Sequence, residues 1–123
     1  MAQTIAVIGA SADRAKFGNK CVRAYAKRGY TVFPVNPKEA QTEGRECYPS
    51  ITDVPGHVDI VSVYLPPRIG IGLLEDIAAK KPGMVYFNPG AGSEEIREEA
   101  ARLSLKTVFG CSIRAIGEDP ADY

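Results

Sequence analysis

With 123 residues, 45% of them hydrophobic, the chain is long enough for one ordinary domain that buries roughly two-thirds of its unfolded surface and needs no disulfide or metal staples. Fifteen basic and fifteen acidic residues cancel to a formal charge of zero, which argues against a broad nucleic-acid footprint while permitting a local cationic pocket. No apolar run approaches the length of a bilayer span, and Met1-Ala2-Gln3-Thr4 leads straight into the first ordered segment, so a soluble cytoplasmic protein is expected.

The first segment, Ile5-Ala6-Val7-Ile8, is too short for a buried helix and is cut off by Gly9, so it reads as a strand covered on both faces. The chain leaves it through Gly9, Ala10 and Ser11, residues small enough for backbone amides to approach a ligand, and a helix begins near Phe17. The N-terminus of that helix, with its unpaired N–H groups and positive dipole end, suits a phosphate, although any tight strand-to-helix turn also wants small residues. Phe17, Cys21, Ala24 and Tyr25 recur at helical spacing, and Arg28 and Gly29 close the run. A second strand over residues 31–35 contains Pro34, which is tolerated only near an edge or at a strand's end.

A polar connection runs to Glu46, and Ser50 is placed to cap a short turn over Ile51 to Val54. His57 and Asp59 precede a third strand, Ile60 to Leu65, which stops at Pro66-Pro67. Leu73, Ile77 and Ala78 predict a helix from Ile69 to Lys81, ended by Pro82-Gly83. Met84 to Phe87 is a fourth strand, followed by Asn88-Pro89-Gly90-Ala91-Gly92 and by a helix that Ser93 caps, with Glu94 and Glu95 in its first turn, Ile96, Ala100 and Leu103 inward, and Glu98 paired to Arg102 outward. Lys106 to Phe109 makes the fifth strand, and residues 110–123 form a tail.

Alternating strands and helices without repeat or linker imply a single α/β domain over residues 1–123: a five-stranded parallel sheet with helices on both faces, a Rossmann-like three-layer sandwich in the order 3-2-1-4-5. Ligands of such sheets bind outside the carboxyl ends of the strands, where the order reverses, here expected between strands one and four. The residues that follow the strands therefore form the candidate site. Gly9, Ala10, Ser11, Arg14, Lys16 and Gly18 come from the first loop, Asn36, Pro37 and Lys38 from the second, Leu65, Pro66 and Pro67 from the third, and Asn88, Pro89 and Gly90 from the fourth.

The set carries cations and, as read from the strand ends, no carboxylate. An NAD site usually has an acid at the end of strand two for the ribose hydroxyls, where this chain has Val35-Asn36-Pro37-Lys38, and Ser11 stands where GxGxxG has its second glycine. Lys38 would attract an additional phosphate, so the expected ligand is an adenine nucleotide with a ribose phosphate, a description that NADP and coenzyme A (CoA) both fit; the alternative for Lys38 is a solvated surface lysine.

Catalytic groups are harder to find. His57 falls at the amino edge, no carboxylate pair is placed for acid–base work, there is no Ser-His-Asp set and no HExxH, and a nicotinamide enzyme would need a second domain for its hydride partner. Cys21, Cys47 and Cys111 are odd in number and lack a CxxC pair, which suits free thiols in a reducing compartment and argues against structural zinc. Cys111 follows strand five on the ligand edge, where it is either a packed small residue or a thiol that a thiol-bearing ligand reaches by exchange. Tyr64 with Pro66-Pro67 forms either one apolar wall of a groove or simply the end of a strand.

GAS at 9 to 11 with Lys16 and Gly18-Asn19, VNPK at 35 to 38, CYPSITDVP at 47 to 55, Val58-Asp59 and NPGAGSEE at 88 to 95 together resemble the small stand-alone CoA-binding proteins. These in turn are similar to the N-terminal CoA-binding domain of the succinyl-CoA synthetase α subunit. The resemblance covers the chain from Ile5 to about Cys111. It implies a Rossmann-like fold with CoA along the carboxyl edge: residues 9–16 at the phosphates, Asn36, Pro37 and Lys38 beside the adenosine, and Leu65-Pro66-Pro67 with Asn88-Pro89-Gly90 along the pantetheine. The family's aromatic-Gln-Pro-Gly stands here as Phe87-Asn88-Pro89-Gly90, and its Arg-Cys as Gly110-Cys111. Because the ligase's other domains are missing from the resemblance, synthetase activity is not carried over. The expectation is a non-catalytic carrier, sensor or partner subunit that binds CoA or an acyl-CoA. Its rivals are an NADP-linked or CoA-dependent enzyme subunit completed by a partner chain, and a ligand-free regulatory domain.

Overall fold

The computed structural model describes residues 3–123. Its main sheet is built from β1 (Thr4–Ile8), β2 (Thr31–Val35), β5 (Ile60–Val63), β6 (Met84–Phe87) and β7 (Thr107–Phe109), all parallel, while β3 (Gln41–Thr42) and β4 (Arg45–Glu46) form a small antiparallel ribbon inside the connection expected to be irregular. Period-two alternation divides β1 between two cores. Ile5 and Val7 face α1 (Phe17–Lys27) and α5 (Ser112–Ala115). Ala6 and Ile8 face α3 (Leu74–Ala79), α4 (Glu94–Arg102) and the turn Ile51–Asp53. Helices thus cover both faces, as the sequence predicts.

The strand order does not follow the expectation. It is β2-β1-β5-β6-β7, so the third main-sheet strand lies beside the first, not outside the second, and the order becomes 2-1-3-4-5. Pro34 supplies the reason. Its carbonyl points away from β1 and accepts from Tyr48 N at 2.9 Å; on that side proline has no N–H to give to a further strand. Asn36 N donates to Tyr48 O at 2.9 Å, and this single bridge closes the outer edge of β2. The connection packs Ile51, Val54 and Val58 under the sheet and enters on the far side of β1. The reversal therefore falls between β1 and β5, not between strands one and four.

Three local expectations also change. The helix expected from Ile69 to Lys81 is broken into α2 (Pro67–Gly70), a 3-10 turn at Ile71–Leu73 and α3, because Gly70 and Gly72 weaken its first turn. Arg102 pairs with Glu99 and, at 3.6 Å, with Glu75, and not with Glu98. The tail is ordered: α5 and a 3-10 turn at Pro120–Asp122 dock on α1, with Tyr25 Oη donating to Ser112 O at 2.7 Å, Arg28 Nε to Glu118 at 2.6 Å and Tyr123 Oη to Glu118 at 2.6 Å. The Tyr123 hydroxyl, followed by Arg28, holds the Glu118 carboxyl down to about 2. Ser50 and Ser93 cap as expected, accepting from Thr52 N and Ile96 N. Among the described residues no helix is long and apolar enough to cross a membrane.

Candidate functional site

Gly9 ends β1 with φ +91° and donates its N–H to Val35 O, which draws the ends of β1 and β2 together. A side chain there would meet Tyr64 and Leu65 at 3.2 to 3.3 Å, so glycine is what lets the end of β5 close on this turn. Gly18 has the complementary task in the first turn of α1: a Cβ would lie 2.2 Å from Gly9 O. Together the two glycines bring the start of α1 against the switch point. That start is open. Lys16 occupies the cap position, no side chain caps the helix, and its first turn holds no acid.

The carboxyl edge carries a chain of adjoining depressions. A chamber of about 380 Å³ between the ends of β2 and β5 is lined by Gly9, Asn36, Pro37, Lys38 and Leu65, together with Pro49, Ser50, Ile51, Ile69 and Leu73. It shares Gly9 and Leu65 with a middle chamber of about 290 Å³ over the start of α1, which Lys16, Gly18, Pro66, Pro89 and Gly90 also line. Beyond Pro89 the groove forks. One branch, about 460 Å³, is walled by Phe17, Lys20, Tyr64, Cys111, Arg114 and the docked tail. The other, about 500 Å³, lies over Ser93, Arg97 and Phe109, where the Arg97 guanidinium stacks 3.9 Å above the Phe109 ring.

Most of the expected residues meet in this groove, in different capacities. Lys16 and Lys38 line it, and among the described residues neither is in an ion pair. Asn36 shapes the wall: its Nδ2 donates to Ala10 O at 2.7 Å and its Oδ1 accepts from Lys38 N at 2.8 Å, fixing where the lysine starts. Ala10 and Ser11 are buried, Ser11 with its Oγ accepting from Asp13 N, and Pro67 begins α2; none of the three lines a chamber. Arg14 does not either, because its Nε lies 3.4 Å from Glu43 Oε2.

Asn88 sits at the fork but is 1% exposed. Its Nδ2 donates to Ser62 Oγ and to Val63 O, both at 2.9 Å, and its Oδ1 accepts from Ser112 N at 2.8 Å. It belongs to a buried polar seam in which Ser62 and Ser112 hydroxyls are 2.8 Å apart and Cys21 Sγ approaches both, at 3.7 and 3.6 Å. Burial pushes the Cys21 thiol and the Tyr64 hydroxyl up, so both stay neutral. All three cysteines are free; Cys21 and Cys47 are buried and Cys111 is half-buried at the groove wall.

The edge is not free of carboxylates as the strand ends implied. Asp13 lies in the first loop and is turned onto it, accepting from Ala15 N. Glu43 reaches the loop from the ribbon, and Glu94 and Asp119 line the outer branches. Among the described residues, none lines the first or the middle chamber. Sequence reasoning missed Pro49, Ser50 and Ile51 as wall residues, since they reach the groove only through the crossover. Phe17 and Lys20 carried a usable signal: an exposed aromatic and a cation three residues apart at an uncapped helix start. His57 stands at the opposite edge, its Nε2 3.3 Å from Asp59.

These features define a parallel α/β domain with a groove at the switch point, floored by glycine turns and with a lysine in each of its first two chambers. The chain belongs to the CoA binding domain family, which it matches over residues 3–116. It is 33% identical over 107 residues to ADP-forming acetate–CoA ligase I of Archaeoglobus fulgidus, a match covering 86% of this chain and 15% of the ligase. It is 32% identical over 114 residues to the α subunit of ADP-forming acetate–CoA ligase II of Pyrococcus furiosus, covering 89% of this chain and 25% of that subunit. The chain thus spans a quarter or less of these relatives. A conserved hypothetical protein of Pyrococcus furiosus shares the fold with a TM-score of 0.86 and 33% identity, over 92% of this chain and 98% of that one.

Proposed function

We propose that the protein binds coenzyme A, free or acylated, along the carboxyl edge of its sheet. Adenosine occupies the first chamber with its ribose phosphate at Lys38, the diphosphate rests on the start of α1 beside Lys16, and the pantetheine passes Leu65, Pro66, Pro89 and Gly90 toward the fork. The observation that carries this reading is the continuity of the first two chambers through Gly9 and Leu65, with a lysine in each and no acid in either. An uncapped helix start and two ammonium groups are the chemistry that a phosphorylated adenosine needs. The groove brings no nucleophile and base together in these chambers, which supports a carrier, sensor or partner subunit over an enzyme acting alone.

The experiment is isothermal titration with CoA, dephospho-CoA, NADP and NAD, repeated on Lys38→Gln. CoA binds most tightly, and loss of the charge-assisted contact costs about tenfold, so Lys38→Gln brings CoA down to dephospho-CoA. Equal affinities in the wild type remove the role of Lys38, and a preference for NADP overturns the ligand. A second reading, a CoA-dependent enzyme completed by a partner chain, is favoured by the relatives, which are ligases several times longer and include a separate α subunit. Co-purification of a partner that confers activity absent from the isolated chain decides for it.

A further inference from the structure

The ribbon turn between Thr42 and Arg45 consists of Glu43 and Gly44, both with positive φ, +51° and +76°. This is the backbone of a two-residue hairpin turn whose first position suits asparagine, aspartate or glycine. Glutamate gains nothing locally there and carries the strain of a left-handed conformation, so its side chain must be accounted for by what it reaches.

It reaches the first loop. Glu43 Oε2 accepts from Asn19 Nδ2 at 3.1 Å and lies 3.4 Å from Arg14 Nε. Asn19 is fully buried, donates also to Ser11 O at 2.8 Å and accepts from Arg23 Nε at 2.7 Å, and Arg23 in turn donates to Arg14 O at 2.8 Å. The Glu43 side chain is 23% exposed and that of Arg14 66%. Within this pair the carboxylate is the fixed member, held by the hairpin and a buried amide, and the guanidinium is free to leave.

We infer that Glu43 is a built-in counter-ion that holds Arg14 off the ligand groove, and that a phosphate group of the ligand displaces it, Arg14 exchanging carboxylate for phosphate. This inference rests on the CoA reading and specifies how the same site is tuned. Arg14 lies two residues before Lys16, which lines the middle chamber, and a guanidinium pairs bidentately with either anion, so it remains paired before and after the exchange. Glu43 thereby weakens the resting grip of the site on phosphates.

The test is titration of the full chain with CoA and with dephospho-CoA at low and moderate ionic strength, for the wild type, Glu43→Gln, Arg14→Gln and the double variant. Glutamine keeps an acceptor for Asn19 and removes only the charge. Glu43→Gln tightens CoA by about three- to tenfold, the size of one charge interaction near a protein surface, and the gain shrinks as salt rises. In the Arg14→Gln background the gain is lost. A gain shared by dephospho-CoA places the exchange at the diphosphate, and one confined to CoA places it at the ribose phosphate. Unchanged or weaker binding by Glu43→Gln, or a gain that persists without Arg14, overturns the inference and leaves the CoA reading standing. A wild type that binds no CoA under any of these conditions overturns the reading, and the inference with it.

Discussion

The two ends of the sheet treat their polar groups in opposite ways. At the amino end they consume one another: Thr4 N donates to Asp59 Oδ2 at 2.8 Å, Asp59 N donates to Thr4 Oγ1 at 2.9 Å, and Asp59 O accepts from Gly83 N and Met84 N. His57 is drawn into the same closure through Asp59. At the carboxyl end the side chains that could do this are replaced by Gly9, Gly18 and Gly90, and the start of α1 is left uncapped. A closed end joins strands; the open one leaves a helix start without a side-chain cap. The carboxyl end is itself divided, since on the far side of the fork Asn88 spends its whole amide on the protein.

The most damaging way to break this contrast is to fill the open end. Gly18→Ala places a methyl 2.2 Å from the Gly9 carbonyl, a backbone atom that cannot step aside, so α1 must lift off the switch point. We expect a loss of about 3 kcal/mol in urea denaturation, and CoA binding absent by titration. Gly72→Ala is the control: nothing lies within 4 Å of its Cβ, and it is expected to be neutral or stabilising by about 0.5 kcal/mol.

Asn88→Ala sharpens the internal division. The truncation strands Ser112 N in a buried seam, while Val63 O keeps Asn88 N and the Ser62 hydroxyl keeps Ser112 Oγ, which costs about 1–3 kcal/mol by denaturation. Because no free donor is taken from the groove, CoA affinity measured well below the melting temperature changes by less than about threefold. A large affinity loss with unchanged stability would instead make Asn88 a ligand contact.

The strands, the two faces and the carboxyl-edge residues were legible in the sequence because each rests on local signals: apolar runs, alternation, and glycine or proline at strand ends. The order was not, since alternation is the same for both orders, yet Pro34 marked β2 as an edge and was incompatible with a third strand outside it. The ribbon carries no apolar alternation between Gln41 and Glu46 and left no trace. Arg14 was recognisable as a cation of the phosphate loop; its pairing with Glu43 depends on a contact between segments 29 positions apart, which no local pattern encodes. The wall formed by Pro49, Ser50 and Ile51 was hidden for the same reason.

The smallest effect lies at the closed end. Thr4 N–H, the strongest influence, and then the Thr4 hydroxyl and His57 favour the ionised Asp59 and set its carboxyl below the usual range. A group whose folded value is depressed contributes stability that is complete above its unfolded value, about pH 4 for aspartate, and that disappears as pH falls through the folded value. The stability difference between the wild type and Asp59→Asn, followed by urea denaturation, should therefore persist from pH 7 to pH 5 and narrow below pH 4. It should be small throughout, because the side chain is 37% exposed and water screens it. CoA affinity should not change, since Asp59 lies at the end of the sheet away from the groove. A pH-independent difference would mean that Asp59 joins β1 to β5 by hydrogen-bond geometry alone, and a change in CoA affinity would mean that the two ends are coupled through the strands between them.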